Sequence, residues 1–345
     1  MKIILSLVVC LIFINESFSQ KKYFENKFEH YSIIKNKDTI NFHTYSNGEV
    51  ASKKGVLLYI QGSGNDPFYK IIRQVDTISN PKKGKPEIKK YLEVHKTIPF
   101  DLANFPKDYL LVTISKKDIP FEIFGNDFIA PNSFYINDTL DYRVWQASEV
   151  VNYLSDNLLK KPTKIIAFGH SEGTEVVAKL GTINDRVSNI GYFAGGGNAQ
   201  YYDFILDVRK YVQRGEMTEE ESIIEIEKIF TEVKDIYKHP KSLTKKWLGH
   251  PYRKWSSSVE PSIDNLLKIT VPIYVAHGAK DTAVPIESAY LIPIEFIRKG
   301  KNNLTFKVYP NLDHSFSIMP ESKNEIYEEK WDVVLKDFLE WCEAN

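Results

Sequence analysis

The segment KIIAFGHSEGTEVVAKL, residues 164–180, constrains the fold more than any other stretch of the chain. A short apolar run, the pattern of a strand covered on both faces, stops at Gly169, and a helical pattern begins by Thr174. Only GHSEG is left to make the turn. Gly169 and Gly173 carry no side chains to hold strand and helix apart, so Ser171 is expected at the apex of a sharp turn, its hydroxyl above a sheet edge.

The remaining sequence supplies the layers that such a junction requires. The runs GVLLYI (55–60), YLLVTI (109–114), IGYFA (190–194), PIYVAH (272–277) and LTFKVY (304–309) read as further buried strands. Val144, Ala147, Val151, Leu154 and Leu158 recur at helical spacing, as does the stripe Tyr327, Trp331, Val334, Leu335, Phe338 and Cys342 within a helix expected over 323–343. Strands alternating with helices imply the α/β class, with a mostly parallel central sheet flanked by helices. Ahead of it, HYSIIKNKDTINFHTY reads as a hairpin turned at Asn36 to Asp38. Residues 198–262 interrupt the alternation with no convincing strand and a capping box, Thr218 with Glu221, opening an apolar-striped helix. This helical insertion reads as a cap or lid, or as a pair of helices that only thickens the fold.

A serine hydroxyl becomes nucleophilic when a base removes its proton, and an imidazole base needs a carboxylate to fix its tautomer. Both partners follow in the order Ser, acid, His. YVAHGAKDTAVP places Asp281 in the loop after one strand, and KVYPNLDHSF places His314 in the loop after the next.

With GHSEG (169–173), HGAKDTAVP (277–285) and LDHSF (312–316) in that order, residues 55–343, the insertion aside, resemble the α/β-hydrolase-fold serine hydrolases. The likeness is to exported esterases and to the catalytic domains related to prolyl oligopeptidases and dienelactone hydrolases. It implies Ser171 as nucleophile, Asp281 as the orienting acid and His314 as general base, with neither cofactor nor metal. It also implies an oxyanion hole from the backbone N–H groups of Ser63 and Glu172, in a Gly-rich loop where Gln61 replaces the family's usual His and Gly64 is the alternative donor.

Other patterns carry less. Ser242 with Lys245, and Ser155 to Asn157, spell fragments of penicillin-recognising motifs, but in reversed order and with no KTG following. His239 and His250 lack the companions of a metal site, and His170 and His277, beside the catalytic positions, read as structural. The five lysines between Lys82 and Lys90 read as a solvated loop. The aromatic stretch 121–135, with Tyr201, Tyr202, Trp247, Tyr252 and Trp255, either lines an acyl pocket or packs the insertion onto the sheet.

Forty-five basic residues offset forty-five acidic ones, which leaves no field to gather nucleic acid. The N-terminus, MKIILSLVVCLIFINESFSQ, has one Lys, an apolar run from Ile3 to Ile14 and small residues at Ser17 and Ser19. It reads as a signal peptide, residues 1–19, and so as export to the periplasm or medium; the run is shorter than the roughly 20 residues of a membrane span. The mature chain, 20–345, would keep only Cys342, at a packing position, and no internal disulfide. The expectation is a hydrolase of a carboxylic ester or thioester of a small-molecule acyl substrate. A serine peptidase, an acyltransferase and a non-catalytic ligand-binding member of the fold are the alternatives; oligomeric state is not readable.

Overall fold

A computed structural model describes residues 23–49, 53–78, 87–159, 163–320 and 327–345. Residues 1–19, read above as a signal peptide, therefore lie outside the described residues. The chain opens with strands β1 (Glu29–Lys35) and β2 (Asp38–Tyr45), joined through Asn36 and Lys37, both at positive φ (53° and 63°), the two-residue turn that matches strand twist. Then follow β3 (Gly55–Ile60), β4 (Tyr69–Ile78), β5 (Glu87–Lys96), β6 (Tyr109–Ile114), β7 (Glu122–Phe124), β8 (Lys164–His170), β9 (Val187–Phe193), the two-residue β10 (Lys246–Trp247) and β11 (His250–Pro251), β12 (Ile273–Gly278) and β13 (Leu304–Tyr309).

The main sheet has the order β1-β2-β6-β3-β8-β9-β12-β13; β1, β2 and β6 pair antiparallel and every later neighbour is parallel. Helices α1 (Asn132–Asn137), α2 (Leu140–Tyr153) and α3 (Gly173–Ile183) precede the insertion, which holds α4 (Gln200–Gln213), α5 (Glu219–Lys238), α6 (Tyr252–Trp255) and the start of α7 (Ser262–Leu266). Next come α8 (Ile286–Ala289), α9 (Leu291–Arg298) and α10 (Trp331–Ala344). Side chains alternate across the sheet as a strand dictates. Val56, Leu58 and Ile60 of β3 pack on one face with α2, α3 and α9, while Leu57 and Tyr59 pack on the other with Trp331, Val334 and Phe338 of α10. This is the α/β-hydrolase fold.

The apolar runs became strands because each is buried on both faces. Three expectations need correction. The last helix starts at Trp331, so Tyr327 is not part of its stripe; it is exposed, and its hydroxyl bonds the Asp313 carboxylate instead. Lys89 and Lys90 stand in β5, which with β4 and β7 forms a second, three-stranded sheet that the polar sequence conceals. The insertion is not free of strand, since β10 and β11 pair within it, although two residues each is the least a ladder can be. The capping box at Thr218 and Glu221 forms as expected. Cys342 is buried against Tyr274 and Phe338 in the α10 layer, and burial pushes its thiol up to about 12, so it is a packing residue.

Candidate active site

Every element of the site sits at the carboxyl ends of parallel strands, where loops leave a sheet whose edge is otherwise sealed. Ser171 follows β8 at φ 56°, a left-handed conformation that costs a non-glycine residue about 1–2 kcal/mol. Its backbone is held on both sides: its N–H donates to the Phe193 carbonyl (3.0 Å), and its carbonyl accepts from Thr174 N–H (2.9 Å) at the start of α3. The flanking glycines are there for close approach. A Cβ on Gly169 would lie 2.1 Å from the Gly173 carbonyl oxygen, and one on Gly173 would lie 2.2 Å from that of Ile60.

Asp281 and His314 come together from loops after β12 and β13. His314 Nδ1 and Asp281 Oδ2 are 2.8 Å apart, and Asp281 Oδ1 accepts from the N–H groups of Ala283 (2.9 Å) and Val284 (2.8 Å). That carboxylate is buried and aimed by its own backbone. The two loops interlock at Gly278, where a Cβ would meet the Leu312 carbonyl at 2.3 Å, while Lys280 N–H donates to that carbonyl at 3.0 Å. His170 and His277 turn out to brace the pair. His170 Nε2 bonds the His314 carbonyl (2.8 Å), and burial pushes its imidazole down to about 3, so it stays neutral; His277 Nε2 bonds the Val284 carbonyl (2.9 Å), 3.5 Å being its distance to Asp281 Oδ2.

Ser171 and His314 border one cleft of about 550 Å³, with Ser63, His95, Tyr327 and Trp331. No hydrogen bond joins Ser171 to His314 among the described residues; in unliganded sites such bonds are often long and tighten only with substrate. One wall is the end of β5, from Val94 to Lys96, so the hairpin read as a lysine-rich loop shapes the cleft. The aromatic residues of the insertion do not. Tyr201, Phe204, Trp247, Tyr252 and Trp255 pack with Ile236, and Phe121 packs among Phe28, Phe68 and Tyr69, so the packing alternative describes them.

The Gly-rich loop lies against the serine: a Cβ on Gly62 would stand 3.1 Å from Ser171 Cβ. Ser63 lines the cleft, and Glu172 begins α3 with neither N–H engaged by a backbone carbonyl among the described residues. What fixes this loop lay outside the motifs. Lys116, buried just after β6, donates to the carbonyls of Gly62 (2.7 Å) and Gly64 (2.6 Å), and Arg143 of α2 donates to that of Gln61. The carbonyls of Gln61, Gly62 and Gly64 are thereby each held by a buried cationic side chain. Gln61, in the place of the family's His, accepts instead from Thr97 Oγ1 at 2.9 Å.

Arg143 also pairs with Glu172 Oε1 (2.6 Å), whose Oε2 meets Lys254 of α6 (2.6 Å), which in turn meets Asp138 (3.0 Å). Burial would raise the Glu172 carboxyl, but Lys254 and Arg143 reverse this and hold it well below the usual carboxylate range. Burial, reinforced by Arg143, pushes Lys116 down to about 7. The one sequence signal for Arg143 was its place four residues before Ala147, on the inner face of the α2 stripe. His239 and His250 approach Asp235 (3.0 Å) and Asp138 (3.8 Å), and no group of three or more side chains suited to a metal occurs among the described residues.

Comparison with known proteins agrees with this architecture. Residues 244–343 match the model of the Dienelactone hydrolase family, a span that holds Asp281 and His314 but not Ser171. No curated protein matches the sequence. Among solved structures, an esterase from Pyrococcus furiosus superposes with a TM-score of 0.53 at 13% identity, covering 92% of this chain and 94% of that one. Est1E from Butyrivibrio proteoclasticus gives 0.51 at 13% identity, over 92% and 99%. An acylaminoacyl peptidase in complex with Z-Gly-Gly-Phe-chloromethyl ketone gives 0.52 at 10% identity, but the 92% of this chain that it covers spans only 41% of that protein's length. The chain is an α/β-hydrolase-fold protein. Within that fold it resembles the dienelactone hydrolases over its last third.

Proposed function

We propose that the protein is a serine hydrolase that cleaves a carboxylic ester or thioester of a small acyl compound in two steps. Ser171 Oγ attacks the carbonyl carbon while His314 takes its proton; the C–O or C–S bond then breaks, and His314 returns the proton to the leaving group. Water, deprotonated by the same imidazole, frees the acid and restores the serine. Asp281 holds the His314 ring and offsets its positive charge, and the N–H groups of Ser63 and Glu172 receive the oxyanion. The observation that supports this reading is the 2.8 Å contact of His314 with a backbone-fixed Asp281, on the cleft that Ser171 enters from a left-handed turn.

The insertion at 198–262 reaches the site through Asn198, Gln200 and Asp203, which border a small cavity that Ser171 also lines, whereas the cleft is lined by the end of β5 and by Ser315 and Ser317. Action after export, with residues 1–19 removed, is part of the same proposal. No helix among the described residues is long and apolar enough to cross a membrane.

The test is labelling by a fluorophosphonate probe, followed by turnover of a panel of esters, thioesters and peptides. Wild-type protein should be labelled and Ser171→Ala should not. Label retained in Ser171→Ala would remove Ser171 from its role, and turnover of peptides alone would move the reading to a peptidase. Activity should fall on acidification as the imidazole base takes up a proton.

A further inference from the structure

Asp203 is a buried carboxylate with no ion pair among the described residues. Asp203, in the first turn of α4, is 4% exposed, and its Oδ1 has no hydrogen-bond partner among the described residues. The Ser288 hydroxyl near it is likewise without one. Both lie against Gly196: a Cβ there would stand 2.3 Å from Ser288 Oγ and 3.0 Å from Asp203 Oδ1. Asp203 borders a small cavity of about 20 Å³, enough for one water-sized group, whose wall includes Ser171 itself. Glu175 of α3 borders the same cavity, and its carboxyl accepts from Ser258 Oγ at 2.6 Å.

The nearby cations are already committed. Arg143 and Lys254 both grip Glu172, and Lys254 also grips Asp138, so neither forms an ion pair with Glu175 or Asp203. Burial pushes both of these carboxyls up to about 7. A buried carboxylate with no counter-ion is among the most costly groups a protein can carry, and a cation entering the cavity would relieve that cost. On their own these carboxyls keep a proton up to about neutral pH; water or a neutral donor does not favour the ionised form, whereas an ammonium group does. Ser171 lines both this cavity and the cleft that His314 borders, so the group that reaches Asp203 would belong to a molecule whose carbonyl lies at Ser171.

We propose that Asp203, with Glu175 beside it, forms a subsite for a primary ammonium group, and that the enzyme selects acyl substrates carrying an amine close to the scissile carbonyl. The selectivity rests on the hydrolase reading; the ammonium subsite itself does not. The insertion then has a definite task, which is to bring an anion from α4 to a cavity that the nucleophile lines. A hydrogen bond to a charged group is worth about 1.5–3 kcal/mol, or roughly ten- to a hundred-fold in affinity.

Two measurements on the intact mature chain decide the matter. In calorimetric titration, n-propylammonium should bind and n-propanol should not, and Asp203→Asn should weaken n-propylammonium by about tenfold or more. Equal affinity for amine and alcohol, or binding indifferent to the substitution, overturns the subsite. If Asp203→Asn fails to fold, the wild-type contrast between amine and alcohol decides alone. In turnover, the ethyl esters of alanine or β-alanine should exceed ethyl propionate in kcat/KM by about tenfold, and the ratio should collapse in Asp203→Asn. Ethyl propionate turned over as well as both amino esters overturns the selectivity and leaves the hydrolase reading standing. If no ester is hydrolysed and Ser171 takes no fluorophosphonate, the hydrolase reading fails instead, and the titration still judges the subsite.

Discussion

The two flanks of Ser171 are built on opposite principles. On the side of His314, two short loops are locked by backbone groups: Asp281 by the N–H groups of its own turn, His314 by a bond from His170 to its carbonyl, and the loops to each other at Gly278. On the side of the Gly-rich loop, backbone carbonyls are held by long cationic side chains, Lys116 and Arg143, and these belong to a buried network that reaches Glu172, Lys254 and Asp138. One flank is fixed chiefly through main-chain N–H and carbonyl groups. The other draws charges from α2, α3, α6 and the loop after β6, so its geometry depends on how distant parts of the chain assemble. Perturbations should therefore act differently: on the His314 flank they should remove chemistry with little loss of fold, and on the Gly-rich flank they should cost stability first.

The largest effect is expected at Asp281. Asp281→Asn keeps the size of the side chain but loses the charge that fixes the His314 tautomer, so kcat on an ester substrate should fall by about 10³–10⁴-fold. The unfolding midpoint in denaturant should move little. A loss below about tenfold would mean that the 2.8 Å contact to His314 is structural, and the contrast between the flanks would lose its catalytic half.

Arg143→Met probes the opposite flank. It leaves Glu172 with one cation where it had two, and the Gln61 carbonyl without its donor. Breaking a buried pair on one side typically costs about 3–5 kcal/mol, to be read from urea denaturation. A cost under about 1 kcal/mol would show that Lys254 alone can satisfy Glu172 and that the network is looser than its distances suggest.

The same contrast explains what the sequence disclosed. Ser171, Asp281 and His314 each sit at a strand end, announced by glycines and by the chain order Ser, acid, His, because a local backbone turn must be written into adjacent residues. The strands β3 and β6 were readable to the residue, since burial on both faces demands near-continuous apolar runs; β13, only half-buried at the sheet edge, was readable from its β-branched and aromatic residues. Lys116, Arg143, Lys254 and Asp138 were not readable, because a charged residue in an alternating sequence looks like surface until its partner, here 29 residues from Arg143 or 116 from Lys254, is placed beside it. The β4–β5 hairpin was missed for a related reason. Its sequence interleaves lysines and glutamates with single apolar residues, and nothing in that composition distinguishes a solvated ribbon from a solvated loop.

Lys116→Met sharpens the comparison at the point where fold and chemistry meet. The aliphatic chain keeps the volume, but the carbonyls of Gly62 and Gly64 lose their donor and the loop can rotate its N–H groups away from the oxyanion position. We expect kcat to fall about 10- to 100-fold with KM nearly unchanged. Stability should respond in a defined window. Since burial lowers Lys116 to about 7, the unfolded chain holds a proton that the folded chain releases between about pH 7 and 10, so this group makes the wild type gain stability as pH rises through that range; the Met variant should lack that gain.

At Glu175 the expected effect is a gain. Its carboxyl, raised to about 7 by burial, keeps in the folded state a proton that an unfolded glutamate gives up near pH 4. Its contribution is therefore fully present below about pH 4, is lost as pH rises to about 7, and remains lost above that. Glu175→Gln stays neutral throughout and can still accept from Ser258 through Oε1. The variant should nearly match wild type at pH 4 and exceed it by about 3–4 kcal/mol at pH 8, read from denaturant midpoints at the two pH values. If Glu175→Gln is instead the less stable protein at pH 8, the carboxylate is being held by Lys254 or Arg143, whose positive charges already act to lower it. The Gly-rich flank would then be a closed balance of charge, with no carboxylate left over for a ligand except Asp203.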